Sequence, residues 1–259
     1  MYKRILTLVM ALAFVVGLSG MALADSNYAQ QEQYGGGESA TIEQYGQSNI
    51  AYQWQNYYQG LSGGDNIAEI FQEGTGNIAR QVQEGIEEGI ENEAYITQIG
   101  DDNDANIYQD GIGNKALQRQ NTFDVPGDEN TAYIKQYGTN SGNSPWGFDV
   151  VGASQKQVGN YNNASIYQDG WENYARSIQT GDGNDVFQSQ TGNYNYGSAT
   201  QTGDGNSISQ YQNGEYNRSI ATQTGDGNWI SQSQAGNWNY SIVTQTGNGN
   251  AATVTQGNL

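Results

Sequence analysis

The chain has 259 residues, a formal net charge of −18 from 9 basic and 27 acidic residues, 36 glycines, two prolines, and neither cysteine nor histidine. Without cysteine it holds together without disulfides, and without histidine it lacks the commonest general base and metal ligand. The acidic excess opposes a nucleic-acid partner, since phosphate binding needs a basic face.

Residues 1–24 read as a secretory signal peptide. Lys3 and Arg4 form the positive start, Ile5 to Gly17 the apolar stretch, and Ala22-Leu23-Ala24 the small-residue cleavage site before Asp25. The apolar stretch is too short to span a bilayer, and no other segment approaches that length. Loss of Lys3 and Arg4 leaves 7 basic against 27 acidic residues, a charge of −20, which keeps a secreted monomer soluble. The mature chain contains 18 Ile, 8 Val, 3 Leu and 4 Phe, or 33 of 235 residues. Such a composition ordinarily marks disorder. A strict repeat argues otherwise.

In residues 25–156 glutamines recur at a spacing of 11 in blocks: Gln33, Gln44 and Gln55; Gln72 and Gln83; Gln98, Gln109 and Gln120. Gln136 follows. Longer spacings fall on turn-rich stretches at Tyr57 to Gly64, Ile86 to Ile90, 121–129 and 139–152, which read as loops bulging from corners. Both prolines, Pro126 and Pro145, lie there, where no ladder donor is needed.

Residues 157–259 are highly regular. Gln157, Gln168, Gln179, Gln190, Gln201, Gln212, Gln223, Gln234, Gln245 and Gln256 keep the spacing without a slip. Asn162, Asn173, Asn184, Asn195, Asn206, Asn217, Asn228, Asn239 and Asn250 follow the first nine by five residues, and a glycine follows each by two. Eleven residues suit one strand and one tight turn. In the unit Asn-x-Ala-x-Ile-x-Gln-x-Gly, alternate residues share a face, and Gly-x-x-Asn supplies the turn. Thr-Gly-Asp-Gly-Asn recurs every 22 residues, while Tyr194, Tyr216 and Trp238 occupy the intervening turns, so the full coil is 22 residues and the half-repeat 11. Ile208 is expected opposite Ala221, Gln210 opposite Ser219, Ile230 opposite Val243 and Gln232 opposite Ser241, filling a thin core with large against small. Coils stacked about 4.8 Å apart let each buried amide bond its copies above and below. The expected fold is all-β: a cross-β solenoid of stacked strand–turn–strand coils, with 19 Gln-registered strands in about nine coils, roughly 43 Å long.

Asp182, Asp204 and Asp226 share a corner of successive coils. They read as solvated turn residues or, more sharply, as gatekeepers whose like charges slow assembly. Asp-Gly-Asn-Asp at 182–185 faintly echoes a calcium loop but lacks the closing bidentate Glu. Thr200 and Thr202, Thr222 and Thr224, and Thr244 and Thr246 form paired outward rows. They resemble the arrays of ice-binding solenoids and support the alternative of a monomeric β-solenoid with a binding face of ice-binding or adhesin type. Tyr174, Tyr196 and Tyr240, with Arg218 in the same column, read as an outer stacking row. No nucleophile–base spacing stands out, so no catalytic residue, cofactor or metal centre is expected.

The segments Gln44-x-Gly46-x-x-Asn49-x-Ala51-x-x-x-Gln55, Gln72-x-Gly74-x-Gly76-Asn77-x-Ala79-x-x-x-Gln83 and Gln168-x-Gly170-x-x-Asn173-x-Ala175-x-x-x-Gln179 resemble the curlin repeat of curli subunits, the secreted bacterial amyloid of the biofilm matrix. The resemblance implies self-assembly outside the cell, export through an outer-membrane secretion pore, seeding by a curli-type nucleator, and interior Gln and Asn ladders that drive polymerisation into extracellular fibres at the cell surface. The regular C-terminal region and the scarcity of Lys and Arg favour the bulk subunit over the nucleator. Glu38 and Glu88 stand where Asn is expected, Tyr57 where a turn Gly is expected, and Gly197, Ser219 and Ser241 where Ala is expected. Gln-to-Ala changes at the ends, at Gln33 or Gln256, are expected to slow elongation more than Gln201→Ala.

Overall fold

A computed structural model of the chain describes residues 26–33, 38–55, 66–84, 92–111, 113–121, 127–139 and 152–257. The signal peptide, Tyr57 to Gly64, Ile86 to Ile90, both prolines and Glu88 lie outside the described residues.

The described residues form nineteen strands in two parallel sheets. The ten-stranded sheet stacks β1 (Tyr28–Gln33), β3 (Ile50–Gln55), β5 (Ile78–Glu84), β7 (Asp104–Gly111), β9 (Thr131–Thr139), β11 (Asn163–Trp171), β13 (Asp185–Asn193), β15 (Ser207–Glu215), β17 (Trp229–Ala235) and β19 (Ala251–Gly257). The nine-stranded sheet stacks β2 (Ser39–Gln47), β4 (Ile67–Thr75), β6 (Glu93–Ile99), β8 (Lys115–Gln120), β10 (Ala153–Val158), β12 (Tyr174–Thr180), β14 (Tyr196–Thr202), β16 (Arg218–Thr224) and β18 (Tyr240–Thr246). Consecutive strands alternate between sheets, so each sheet grows by one strand per coil. This is the all-β solenoid expected from the 11-residue half-repeat.

Register follows the repeat. Gln stacks on Gln and Ala on Ala in pair after pair, as in Gln157 on Gln179 and Ala153 on Ala175. The alternation of buried and part-exposed residues along β5 and β7 puts Asn, the small residue, the variable residue and Gln inside. Between the sheets the packing is large against small. One apolar cluster joins Ile70, Ile96, Ile107, Ile134 and Ile166 to alanines, and a second joins Val186, Ile208 and Ile230 to Ala199 and Ala221, with Val243 against it. Gln210 Nε2 donates to Ser219 Oγ at 3.1 Å, and Gln232 Nε2 to Ser241 Oγ at 2.9 Å, matching the expected facing pairs. Gly197 faces Gln188. A Cβ there would stand 3.2 Å from both Gln188 Nε2 and Gln190 Nε2, which is why the column narrows from Ala to Gly at that level.

Two expectations are corrected. After Gln83 the Asn column is carried by Asn92 and not by the residue five after the Gln. The four extra residues after Gln83 shift the column to Asn92, whose N–H donates to Asn66 Oδ1 (3.1 Å) and whose own Oδ1 accepts from Asn114 N–H (2.8 Å). The loop read at 121–129 is narrower than its bounds. Asn121 is buried, its N–H donates to Gln157 O at 2.6 Å, and Gly127 to Asn130 form a regular corner in register with Gly100 and Gly159. Likewise Thr139 closes β9, and Gly152 O accepts from Gln168 Nε2 at 2.8 Å. A gap in spacing locates an insertion but not the residues within it that return to the stack.

Between the two apolar clusters, Ser177 is buried with no partner for its Oγ. The residue stacked below it in the same column is Ala199. Ser177→Ala is therefore expected to raise stability by about 1 kcal/mol, by removing an unpaired hydroxyl. A lowered denaturation midpoint would contradict this.

Candidate functional site

The interior amides form continuous ladders. In the nine-stranded sheet, Nε2 of Gln44 donates to Oε1 of Gln72 (2.8 Å), and the chain continues through Gln98, Gln120, Gln157, Gln179, Gln201 and Gln223 to Gln245. In the ten-stranded sheet it runs from Gln33 through Gln55, Gln83, Gln109, Gln136, Gln168, Gln190, Gln212 and Gln234 to Gln256. The second hydrogen of Nε2 is used across the core, as when Gln201 donates to Asp185 O at 3.1 Å and Gln223 to Ser207 O at 3.1 Å. Amides of these two ladders that would cost about 1–3 kcal/mol each if buried alone are thus paired, whereas Gln53, Gln118 and Gln188, which begin shorter inner columns, each leave Oε1 without a partner.

Asparagines form the matching corner columns. Backbone N–H and Nδ2 of Asn184 both donate to Oδ1 of Asn162, and Asn206, Asn228 and Asn250 repeat this coil by coil. On the opposite edge Asn195, Asn217 and Asn239 repeat it from Asn173. Nδ2 of Asn162 and Asn173 also donates to the corner carbonyls of Gly181 and Gly192, both at 2.7 Å. The structure therefore brings all nineteen of these residues of 157–256 together as column members. The equivalent columns of the N-terminal region, including Asn49, Asn77, Asn103 and Asn130, are built in the same way.

The residue before each corner Asn from Asn162 to Asn250 adopts a left-handed conformation. Where it is not Gly it includes Tyr194 (φ 57°), Tyr216 (φ 55°) and Trp238 (φ 61°). These rings stack face to face, with centroids 4.8 and 4.3 Å apart and planes within 8° and 4° of parallel. The stacking offsets the backbone cost of a bulky residue in that region. In the outer row, Tyr174 stacks on Tyr196 at 4.8 Å, and the Arg218 guanidinium lies 5.1 Å over Tyr196 and 5.5 Å over Tyr240. Tyr174 is not an open outer residue, however. It is 4% exposed, and burial pushes its hydroxyl up to about 12. The threonine rows stack in register, Thr200 with Thr222 and Thr244, and Thr202 with Thr224 and Thr246.

Asp182, Asp204 and Asp226 are exposed, but they are more than solvated turn residues. Each Oδ1 accepts a backbone N–H from the coil before: Asn160 to Asp182 (2.8 Å), Asp182 to Asp204 (2.8 Å) and Asp204 to Asp226 (3.0 Å). Asp101 and Asp128 do the same earlier in this column, a role the sequence reading missed although both sit two residues before a column Asn. Asn160 and Asn248 fill the position without charge. The column thus stacks carboxylates one strand spacing apart while using them as acceptors.

Among the described residues no group of three His, Cys, Asp or Glu side chains lies close enough to hold a metal ion, and no helix is long and apolar enough to cross a membrane. Comparison with curated protein sequences gives no match. The family model described as the curlin associated repeat matches residues 63–111, 100–138, 156–187 and 233–257, about half of the chain. With the ladders, corners and parallel register that these segments build, the chain belongs to the curlin associated repeat family and is a curli-like amyloid subunit in kind.

Proposed function

We propose that the chain is a secreted structural subunit that self-assembles into extracellular curli-like amyloid fibres serving biofilm cohesion and surface adhesion, and that it acts as the bulk subunit rather than as an enzyme. The observation that carries this reading is that both Gln ladders run to sheet edges. β1 and β2 end the two sheets on one side, and β18 and β19 on the other. Both outermost strands, β1 and β19, are exposed or part-exposed along their whole length. An edge with unpaired N–H and C=O groups templates another strand, and an amide ladder ending there extends in the same step. A secretion pore in the outer membrane and a nucleator complete the proposal as the family's usual partners.

A thioflavin-T time course on residues 25–259, with fibre diffraction of the product, tests it. A lag followed by growth, with reflections near about 4.7 and 10 Å, is the expected result. A soluble, β-rich monomer that never assembles would overturn the reading, and the stacked threonine rows would then make ice binding the next assay.

The aspartate corner sets a pH dependence. Stacked carboxylates repel, so acid is expected to shorten the lag between pH 7 and pH 4.5. Glu84 acts in the same direction. Burial raises its carboxyl above the usual range against the lowering effect of the Tyr108 hydroxyl 3.1 Å away, and Asp110 raises it further. A carboxyl raised in the folded state binds its proton more readily there, so its contribution to stability grows as pH falls through that range. The triple change Asp182→Asn, Asp204→Asn, Asp226→Asn isolates the corner, because it removes charge while keeping the acceptor, as Asn160 and Asn248 already do. Its lag at pH 7 is expected to be shorter than that of the native chain at pH 7. An unchanged lag would remove the gatekeeper role.

A further inference from the structure

The ladders have a direction. In both Gln columns each Nε2 donates toward its C-terminal neighbour, and bonds from the same Nε2 to backbone carbonyls, such as Gln234 to Arg218 O (3.0 Å), keep the amide from turning over. The Asn columns run the other way, because each backbone N–H donates to the Oδ1 before it. The end at β18 and β19 therefore presents Gln Nε2 and Asn Oδ1, and the end at β1 and β2 presents Gln Oε1 and the corner N–H groups of Asn27 and Glu38. Two like ends would set donor against donor, whereas unlike ends are complementary, so copies join head to tail.

Strand number then decides the rotation. Nineteen strands place β1 and β19 in the same sheet. If an incoming copy seats its β1 on β19, its β2 stands two strand spacings, about 9.6 Å, from β18, and one level of that sheet is empty. A half-turn about the stack axis instead seats the incoming β1 on β18 and β2 on β19, each at a single spacing. The half-repeats are equivalent enough to permit this exchange of sheets: Gln33 meets Gln245, Gln44 meets Gln256, Asn27 meets Asn239, and Ile42 meets Val254. We propose that successive copies of this chain stack head to tail with a half-turn between them, so that each sheet of one copy continues as the other sheet of the next. The proposal rests on the fibre-forming reading above and adds the docking surface and its register.

The chain has no cysteine, so introduced pairs report cleanly. Glu32 is one residue before Gln33 and points outward. In the half-turn arrangement it is level with exposed Thr244 of β18, and without the half-turn with exposed Thr255 of β19. These positions lie at opposite ends of one molecule, so any bond between them is intermolecular. Fibres of Glu32→Cys/Thr244→Cys, assembled reduced and then oxidised, are expected to give covalent multimers on a non-reducing gel, and Glu32→Cys/Thr255→Cys to stay monomeric. The reverse pattern, equal cross-linking of both, or cross-linking of neither in fibres that do form would overturn the half-turn and leave the fibre reading standing. Absence of fibres from the native chain would overturn both. Electron micrographs of native fibres give a check free of substitutions. They are expected to show one copy per about 46 Å, related to the next by about 180° beyond the fibre's own twist. A rotation near zero contradicts the proposal.

Discussion

Gly225→Ala is expected to unseat the last coil, whereas Gly247→Ala, the same change one coil later, leaves it in place. Both glycines have positive φ, 107° and 99°, so alanine meets a similar backbone penalty of about 1–3 kcal/mol at either site. Their surroundings differ. A Cβ on Gly225 would stand 2.4 Å from Gly247 O and 2.8 Å from Gly247 C, and that carbonyl belongs to a corner held by its own ladder. A Cβ on Gly247 meets only Asn250 Nδ2, at 3.6 Å. The clash at 225 adds to the backbone cost and separates β16 from β18, and the loss is expected to exceed that at 247 by at least about 2 kcal/mol. Amide hydrogen exchange over 229–257 reads this directly: protection collapses in Gly225→Ala and persists in Gly247→Ala. Equal protection would show that the corner relaxes around a methyl group and that close coil stacking does not enforce glycine there.

Gln201→Ala is expected to be the other severe change. Gln201 is fully buried, accepts from Gln179 Nε2 at 3.2 Å, and donates to Gln223 Oε1 at 3.0 Å and Asp185 O at 3.1 Å. Truncation removes all three bonds, leaves Gln223 Oε1 and Asp185 O without these donors in the interior, and opens a cavity, for a loss of about 3–5 kcal/mol. Thr200→Ala, one residue away on the outer face, is expected to change stability by about 0.5 kcal/mol or less. The rate of growth should order the glutamines differently. Gln33 and Gln256 stand at the two edges, so their loss removes the ladder bond that an incoming chain makes first, and Gln33→Ala or Gln256→Ala should slow elongation of preformed seeds more than Gln201→Ala. If the central change slows elongation more, the ends are not where copies dock.

The regular features of this fold were legible because they follow from local chemistry repeated without interruption. Gln at a fixed spacing of 11, Gly two residues on and Asn five residues on define a strand and a corner wherever they occur, and alternation places Gln, Ala and Asn on one face. Facing pairs such as Gln232 with Ser241 were readable for the same reason, since the two half-repeats must fill one thin core. Where the spacing broke, the reading failed in a specific way. Counting forward from Gln83 pointed to Glu88 in the Asn column. Counting back from Gln98 gives Asn92, which the hydrogen bonds select. Composition also could not tell that Asp204 is an acceptor for the coil before it, because an exposed Asp in a turn looks the same whether or not a second corner lies on it.

One-dimensional periodicity thus carries the identity of each column and the all-β solenoid, because every coil repeats the same local instructions. Direction and closeness of stacking are properties of one coil against another. The opposed polarity of the Gln and Asn ladders, the carbonyl that excludes a Cβ at Gly225 and the burial of Tyr174 arise only when residues 22 or more apart come within hydrogen-bond reach, and no local pattern encodes them.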